Sequence, residues 1–483
     1  MRKNFIIYGL VILCLTGARV SAETGTLDQK LIEKIRSDFK MDTHTRAMYN
    51  AIANTDIRTL AINRDLLREH NEFFSNKIEV KSISNQEHSG RCWLFAALNS
   101  IKYHAIKKSK LKSLDFSHIY LTFWDKFEKA NTFYERMIEF GNRDIMDREL
   151  VFLLRRPLPD GGYWENAKDL INKYGLVPKE VMPETHSSNN TSVMNQIIER
   201  KMRVDAVKLR EMAKQEKSVE QMRQAKEKML SEIYRLLVMN FGEPPVTFDW
   251  RYEPKDKEDE KESDEEEDED ENGDEEYEDK SIIIENYSPK QFYDEFVGLD
   301  LDDYVDIFHD TIRPVGRRYQ VMLTRNLYDG HDLDYVNVDL AALKDAAIKS
   351  LVDGTPLWFS VDVSVDQNSD KGIMIENLYD YGSIFNVDLK MTKAQLALFR
   401  QNTPNHGMNL IGVDIQEEPV KWLVENSWGS EKGSKGTWIM YDNWFDMNIY
   451  GIIVQKKYLP EDVIKISEQT PVKLPVWDPM WQR

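Results

Sequence analysis

Residues 85–99 read Asn85-Gln86-Glu87-His88-Ser89-Gly90-Arg91-Cys92-Trp93-Leu94-Phe95-Ala96-Ala97-Leu98-Asn99. Ser89-Gly90 interrupts the chain, and Cys92 then opens a helix. Leu94, Ala97, Leu98, Ile101 and Ala105 recur at i, i+3, i+4, i+7 and i+11, one apolar stripe at helical spacing. The only other thiol of the 483 residues, Cys14, lies in an apolar N-terminal stretch. A lone thiol makes neither an intrachain disulfide nor a cysteine-based metal site, and it is ordinarily a small buried hydrophobe. A glutamine six residues upstream and a tryptophan directly after it point instead to a nucleophile.

Amide hydrolysis by a thiol needs a nucleophile, a base, a group orienting the base and donors for the oxyanion. Cys92 at a helix start supplies the first, because unsatisfied N–H groups and the helix dipole favour a thiolate there. His406, in Pro404-Asn405-His406-Gly407-Met408-Asn409, begins a strand from which an imidazole can project into a cleft. Asn426, in Val424-Glu425-Asn426-Ser427-Trp428-Gly429, follows another strand end, where its amide can accept from that imidazole. Trp428 is placed to shield the contact from water. Gln86 can aim its amide N–H at the oxyanion beside the backbone N–H of Cys92. The chemistry calls for no cofactor and no metal.

The first 22 residues read as a secretory leader: Arg2 and Lys3, an apolar run from Phe5 to Leu15, then Val20-Ser21-Ala22 as a cleavage site. That run is too short to span a bilayer as a helix, so a secreted or periplasmic protein without stable membrane insertion is expected. Hydrophobic residues at 41% support a substantial core. The net charge of −19 is concentrated: Lys255–Lys280 holds 18 Asp and Glu against 4 Lys, a net of −14, which leaves −5 for the remainder. No basic face is evident in the sequence, which disfavours nucleic acid as a partner. Residues 254–281 lack the apolar surface to offset ordering entropy and are expected to be disordered. Asp268, Asp270, Asn272, Gly273 and Asp279 approach a calcium-loop pattern, but without its terminal Glu or apolar flanking helices.

Residues 28–75 are charged with scattered apolar positions and suggest surface helices. The pattern from Leu114 to about Asn240 is mainly helical, with a loop at 157–162 and one or two long amphipathic helices over 195–239. After residue 282, Leu357–Val363, Met408–Val413, Trp422–Val424 and Thr437–Tyr441 read as strands. A helix-rich first half and a strand-rich second half imply an α+β enzyme with its cleft between two layers.

The ordered set Gln86, Cys92-Trp93, His406 and Asn426-Ser427-Trp428-Gly429 resembles the papain-like cysteine peptidases, and more closely their bleomycin hydrolase / aminopeptidase C branch. Papain and the cathepsins carry a second cysteine three residues before the nucleophile, where this chain has Ser89. The 314 residues from Cys92 to His406 leave room for the branch's helical insertions, and Trp477-Asp478-Pro479-Met480 matches its tail. Asn240–Pro245, Trp358–Val363 and Asn377–Asp380 extend the likeness over most of residues 60–483.

The resemblance implies a papain-like two-layer fold over residues 23–483, a large inserted helical module at about 125–340, and a hexameric ring. It implies a thiol aminopeptidase acting on peptides with free N-termini, with Gln86, Cys92, His406 and Asn426 as catalytic residues. It also implies that the arm over 471–483 enters the cleft, where the terminal carboxylate of Arg483 would meet the substrate's α-ammonium. The branch's tail usually ends in small residues, whereas Trp481-Gln482-Arg483 close this chain. A papain- or calpain-like endopeptidase and a non-catalytic binding protein on the same scaffold are the alternatives.

Overall fold

The computed structural model describes residues 25–255, 281–416 and 418–481. The expected leader, nearly all of the acidic segment with its calcium-like pattern, and Arg483 lie outside the described residues. The chain divides into two compact units. One unit comprises, among the described residues, 25–62 and 380–388. Its helices Gln29–Asp38, Thr43–Asn54 and Ile57–Ala61 begin at Asp28, Asp42 and Asp56, each accepting from a first-turn N–H. Such caps satisfy donors that a helix start otherwise leaves unpaired. The short helix Tyr381–Phe385 packs against Thr43–Asn54.

The other unit, residues 63–379 and 389 onward, carries the sheet and the main helices. Its twelve-stranded sheet runs, from one edge, Val472–Leu474, Arg317–Val321, Asp334–Asn337, Tyr304–Phe308, Ile449–Gln455, Leu357–Val361, His406–Asp414, Lys421–Glu425, Thr437–Tyr441, Ile373–Met374 and Gln367–Asn368. The twelfth strand, Asn76–Lys77, pairs with His406–Asp414 off that path. All nine residues of His406–Asp414 are buried, consistent with an apolar run that has strands on both sides.

The helix Cys92–Lys108 lies against this central strand. The sequence shows one apolar stripe, but the structure buries nearly every side of the first eleven residues, Asn99 and Lys102 included. A helix that is covered all round is central to a domain rather than set on its surface. Helices His118–Glu139, Ser192–Lys214 and Val219–Phe241 pack together beyond it, the last two forming the expected pair of long helices. The helical stretch closes at Phe241, and the acidic segment is flanked by the antiparallel strands Phe248–Tyr252 and Ile282–Tyr287. From Tyr304 the chain feeds three strands into the main sheet, so residues 125–340 form a mixed segment rather than a purely helical one.

Candidate active site

The nucleophile helix starts without a side-chain cap: Arg91 precedes it and supplies no capping hydrogen bond. First-turn N–H groups therefore remain available at Cys92. Arg91 is instead buried beneath the turn, where it pairs with Glu184 at 2.9 Å and donates through Nε to the Ser89 hydroxyl at 2.9 Å. Trp93 donates through its indole N–H to the carbonyl of Asp160 at 2.8 Å, and its own carbonyl accepts from Trp358 at 3.1 Å.

The neighbours of Cys92 include two glycines that cannot be enlarged without displacement. A Cβ on Gly407 would lie 3.1 Å from the Trp358 ring and 3.3 Å from Cα of Trp93. A Cβ on Gly162 would come within 2.6 Å of the Trp93 ring. These close approaches bring the start of the histidine strand and the 157–162 loop against the nucleophile turn.

Cys92 is partly exposed and free of any disulfide. Its sulfur is hydrogen-bonded to His406. Burial opposes ionisation of the thiol, but the charge and hydrogen bond of His406, with backbone N–H groups of Gly407 and Trp93, hold its pKa below the ordinary value. Burial likewise opposes protonation of His406, yet Cys92 and Asn426 together hold the imidazole above its ordinary value. Both shifts favour a thiolate–imidazolium pair.

His406 Nε2 lies 2.9 Å from Oδ1 of Asn426. The same oxygen accepts the Ser427 backbone N–H at 2.8 Å, which fixes the amide's orientation. An amide oxygen only accepts, so Nε2 carries the hydrogen and Nδ1 is left for the sulfur. The Trp428 ring lies 4.9 Å from the imidazole, tilted by 38°, and covers the His406–Asn426 pair. His406 and Asn426 are both buried.

Gln86 reaches the site through backbone pairing. Its N–H donates to the Ser427 carbonyl at 2.9 Å, and Asn85 bridges Trp428 in antiparallel fashion. The Ser427 hydroxyl donates to Gln86 Oε1 at 2.7 Å, which turns the NH2 group the other way. One of its two hydrogens meets the Ser89 carbonyl, and the second remains for an oxyanion.

The structure thus brings together Cys92, His406, Asn426, Gln86 and Trp428. Arg483 lies outside the described residues, but the tail is placed through Trp481. There it packs against Tyr163, with ring centroids 6.0 Å apart, and against Phe308. Asp160 was legible in the sequence only as part of a loop. It accepts from the Gly90 N–H, the Thr191 hydroxyl, the Asn195 amide and the Lys126 ammonium. Burial would raise its pKa, but Lys126 and the hydroxyl and amide donors hold it far below the carboxylate range. A single charged group flanked by Pro159 and Gly161 was the available signal for this hub.

Among the described residues, no group of three His, Cys, Asp or Glu side chains is placed to hold a metal ion, and no helix is long and apolar enough to cross a membrane.

The family model of the Peptidase C1-like family matches residues 26–269 and 265–481. Aminopeptidase C of Listeria innocua is 36% identical over 410 residues, covering 84% of this chain and 87% of that protein. Aminopeptidase C of Streptococcus thermophilus is 32% identical over 459 residues, covering 94% and 98%. The crystal structure of PepW from Lactobacillus rhamnosis HN001 superposes with a TM-score of 0.86 at 35% identity, covering 94% of this chain and 99% of that one. With this helix-and-sheet architecture and a cysteine at the helix start, the chain belongs to the Peptidase C1-like family of cysteine peptidases, on its aminopeptidase C / bleomycin hydrolase branch.

Proposed function

We propose that this protein is a thiol aminopeptidase that removes N-terminal residues from peptides through Cys92, His406 and Asn426. The observation that carries the reading is the relay from the Cys92 sulfur to His406 and on to Asn426 Oδ1, with the thiol and imidazole shifted in opposite directions. The thiolate attacks the first peptide carbonyl, and the oxyanion is received by the free Gln86 amide hydrogen and the Cys92 backbone N–H. His406 gives its proton to the departing amine, leaving a thioester on Cys92. It then takes a proton from water, whose oxygen attacks the thioester and releases the amino acid with the thiol regenerated.

The exopeptidase limit rests on the tail. Trp481 reaches Tyr163, directly after the Gly161-Gly162 pair that borders Trp93. The role proposed for the terminal carboxylate of Arg483 is to pair with the substrate α-ammonium. A hexameric assembly and export to the periplasm or exterior belong to the same proposal. The test compares leucyl-aminomethylcoumarin with its N-acetylated form. Hydrolysis of the free amine alone supports the aminopeptidase; faster hydrolysis of the blocked compound contradicts it.

A further inference from the structure

The end of the chain is tied to the body at three points. Val472–Leu474 lies parallel to Arg317–Val321 at the sheet edge, and a turn follows at Pro475. Asp478, nearly sealed from solvent, then uses both of its oxygens. Its Oδ1 accepts the Met480 N–H at 3.0 Å, and its Oδ2 accepts from the Arg313 guanidinium. The Trp481 ring sits among Phe308, Tyr335 and Tyr163, with centroids 5.1, 5.7 and 6.0 Å away. A buried ion pair adds little stability over apolar packing, so its presence beside this aromatic seat calls for another role.

Arg313 is itself held in place. Its other arm donates at 2.6 Å to Oδ2 of Asp310, which also accepts the Tyr335 hydroxyl at 2.8 Å. The Asn337 amide donates to the carbonyls of Asp310, Arg313 and Pro314, fixing the turn that presents the guanidinium. The planar fork thus spans Asp310 and Asp478 at set angles, which a flexible ammonium does not do.

The place where the tail is held matters for the reaction. Gly407, Ser360, Gly451 and Phe308 form one row across four neighbouring strands. At one end, a Cβ on Gly407 would lie 3.3 Å from Cα of Trp93, next to Cys92. At the other, Phe308 leans over Gly451, where a Cβ would overlap its ring, and carries Trp481. The row spans three strand spacings, about 14 Å. Arg483 follows Trp481 by two residues, and two residues reach at most about 7 Å. The gap that is left is about two extended residues long, room for little more than the first residue of a peptide attached at Cys92. We propose that Arg313, acting through Asp478, is a positioning residue that sets how much substrate fits between the tail and Cys92. The Trp481 seat supplies the second hold. The inference rests on the aminopeptidase reading above and names the part of the chain that enforces it.

The test uses the full chain with Asp478→Asn, and Trp481→Ala should the first not fold. An amide offers one acceptor oxygen where Asp478 uses two, so either Arg313 or the Met480 N–H loses its partner. Leucyl-aminomethylcoumarin and its N-acetylated form are compared by kcat/KM, and amide exchange over residues 478–481 is followed by mass spectrometry. The ratio of free to blocked hydrolysis is expected to fall about tenfold or more, because positioning is lost. The blocked compound is expected to be cleaved at least as fast as by wild type, and amide exchange to quicken. A role in stability alone lowers both activities together, and that result overturns the proposal. A folded variant that keeps the wild-type ratio or the wild-type exchange overturns it as well. A wild-type enzyme that prefers the blocked compound ends the aminopeptidase reading, and this proposal with it. A wild-type aminopeptidase whose folded variants keep its preference ends this proposal alone.

Discussion

Ser427 donates its hydroxyl to Oε1 of Gln86 at 2.7 Å, and its backbone N–H meets Oδ1 of Asn426 at 2.8 Å. One residue thereby orients both amides of the site, turning the NH2 group of Gln86 away from Ser427 and Oδ1 of Asn426 toward the imidazole. The segment Asn426-Ser427-Trp428 acts as a single positioning unit, held to residues 84–86 by backbone hydrogen bonds. Three consecutive side chains on one irregular stretch can do this because such a segment points them in different directions, which a regular strand does not.

Gln86→Ala removes a donor that matters only once the oxyanion forms. It is expected to lower kcat about 10²- to 10³-fold with little change in KM. Ser427→Ala leaves the Gln86 amide free to rotate and should lower kcat less than Gln86→Ala does, again at nearly constant KM. Steady-state kinetics on leucyl-aminomethylcoumarin decide the point. A rise in KM at constant kcat in either variant would place these residues in substrate binding instead.

The pH profile follows from the two shifts. The Cys92 thiol is held below its ordinary value of about 8.5, so its thiolate persists on the acid side of that value. His406 is held above its ordinary value of about 6.5, so the imidazolium persists on the alkaline side. The active pair exists between the two, which gives a bell-shaped kcat/KM spanning neutral pH. Asn426→Ala removes an acceptor that favours imidazolium, so its alkaline limb moves to lower pH and its maximum falls. An alkaline limb that stays in place would show that Asn426 does not hold the charge on His406.

Below the site, Lys102 lies 4.0 Å from Glu425 and 3.4 Å from Asp115, with Lys102 and Glu425 nearly sealed from solvent. Glu425 also accepts from Asn99 at 3.3 Å and directly precedes Asn426, so this pair ties the nucleophile helix to the asparagine strand. Burial raises the pKa of Glu425, and Lys102 opposes that rise. Lys102→Met strands a buried carboxylate and is expected to cost about 3–5 kcal/mol in urea unfolding, whereas the double variant Lys102→Met/Glu425→Gln recovers most of it. A single variant within about 1 kcal/mol of wild type would contradict this coupling.

Much of the site could be read from the chain because each chemical role leaves a local sign. Cys92 opens a helix after Ser89-Gly90, His406 begins an apolar strand, and Asn426 follows one, as the structure places them. The roles of Ser427, Asp160 and the Arg91–Glu184 pair were not legible, since each depends on a partner far away in sequence. Periodicity also understated the burial of the nucleophile helix, because Asn99 and Lys102 are polar by type but buried with partners. The mixed character of residues 125–340 escaped for a related reason. The short strands Tyr304–Phe308, Arg317–Val321 and Asp334–Asn337 take their place from partners elsewhere in the sheet.

Everything proposed for this peptidase turns on Cys92 as its nucleophile. The most direct test is hydrolysis of leucyl-aminomethylcoumarin by Cys92→Ala, with folding checked by circular dichroism and melting temperature. Loss of turnover by about 10⁵-fold or more in a folded protein is the predicted result. Turnover that survives unchanged in that protein would contradict the account.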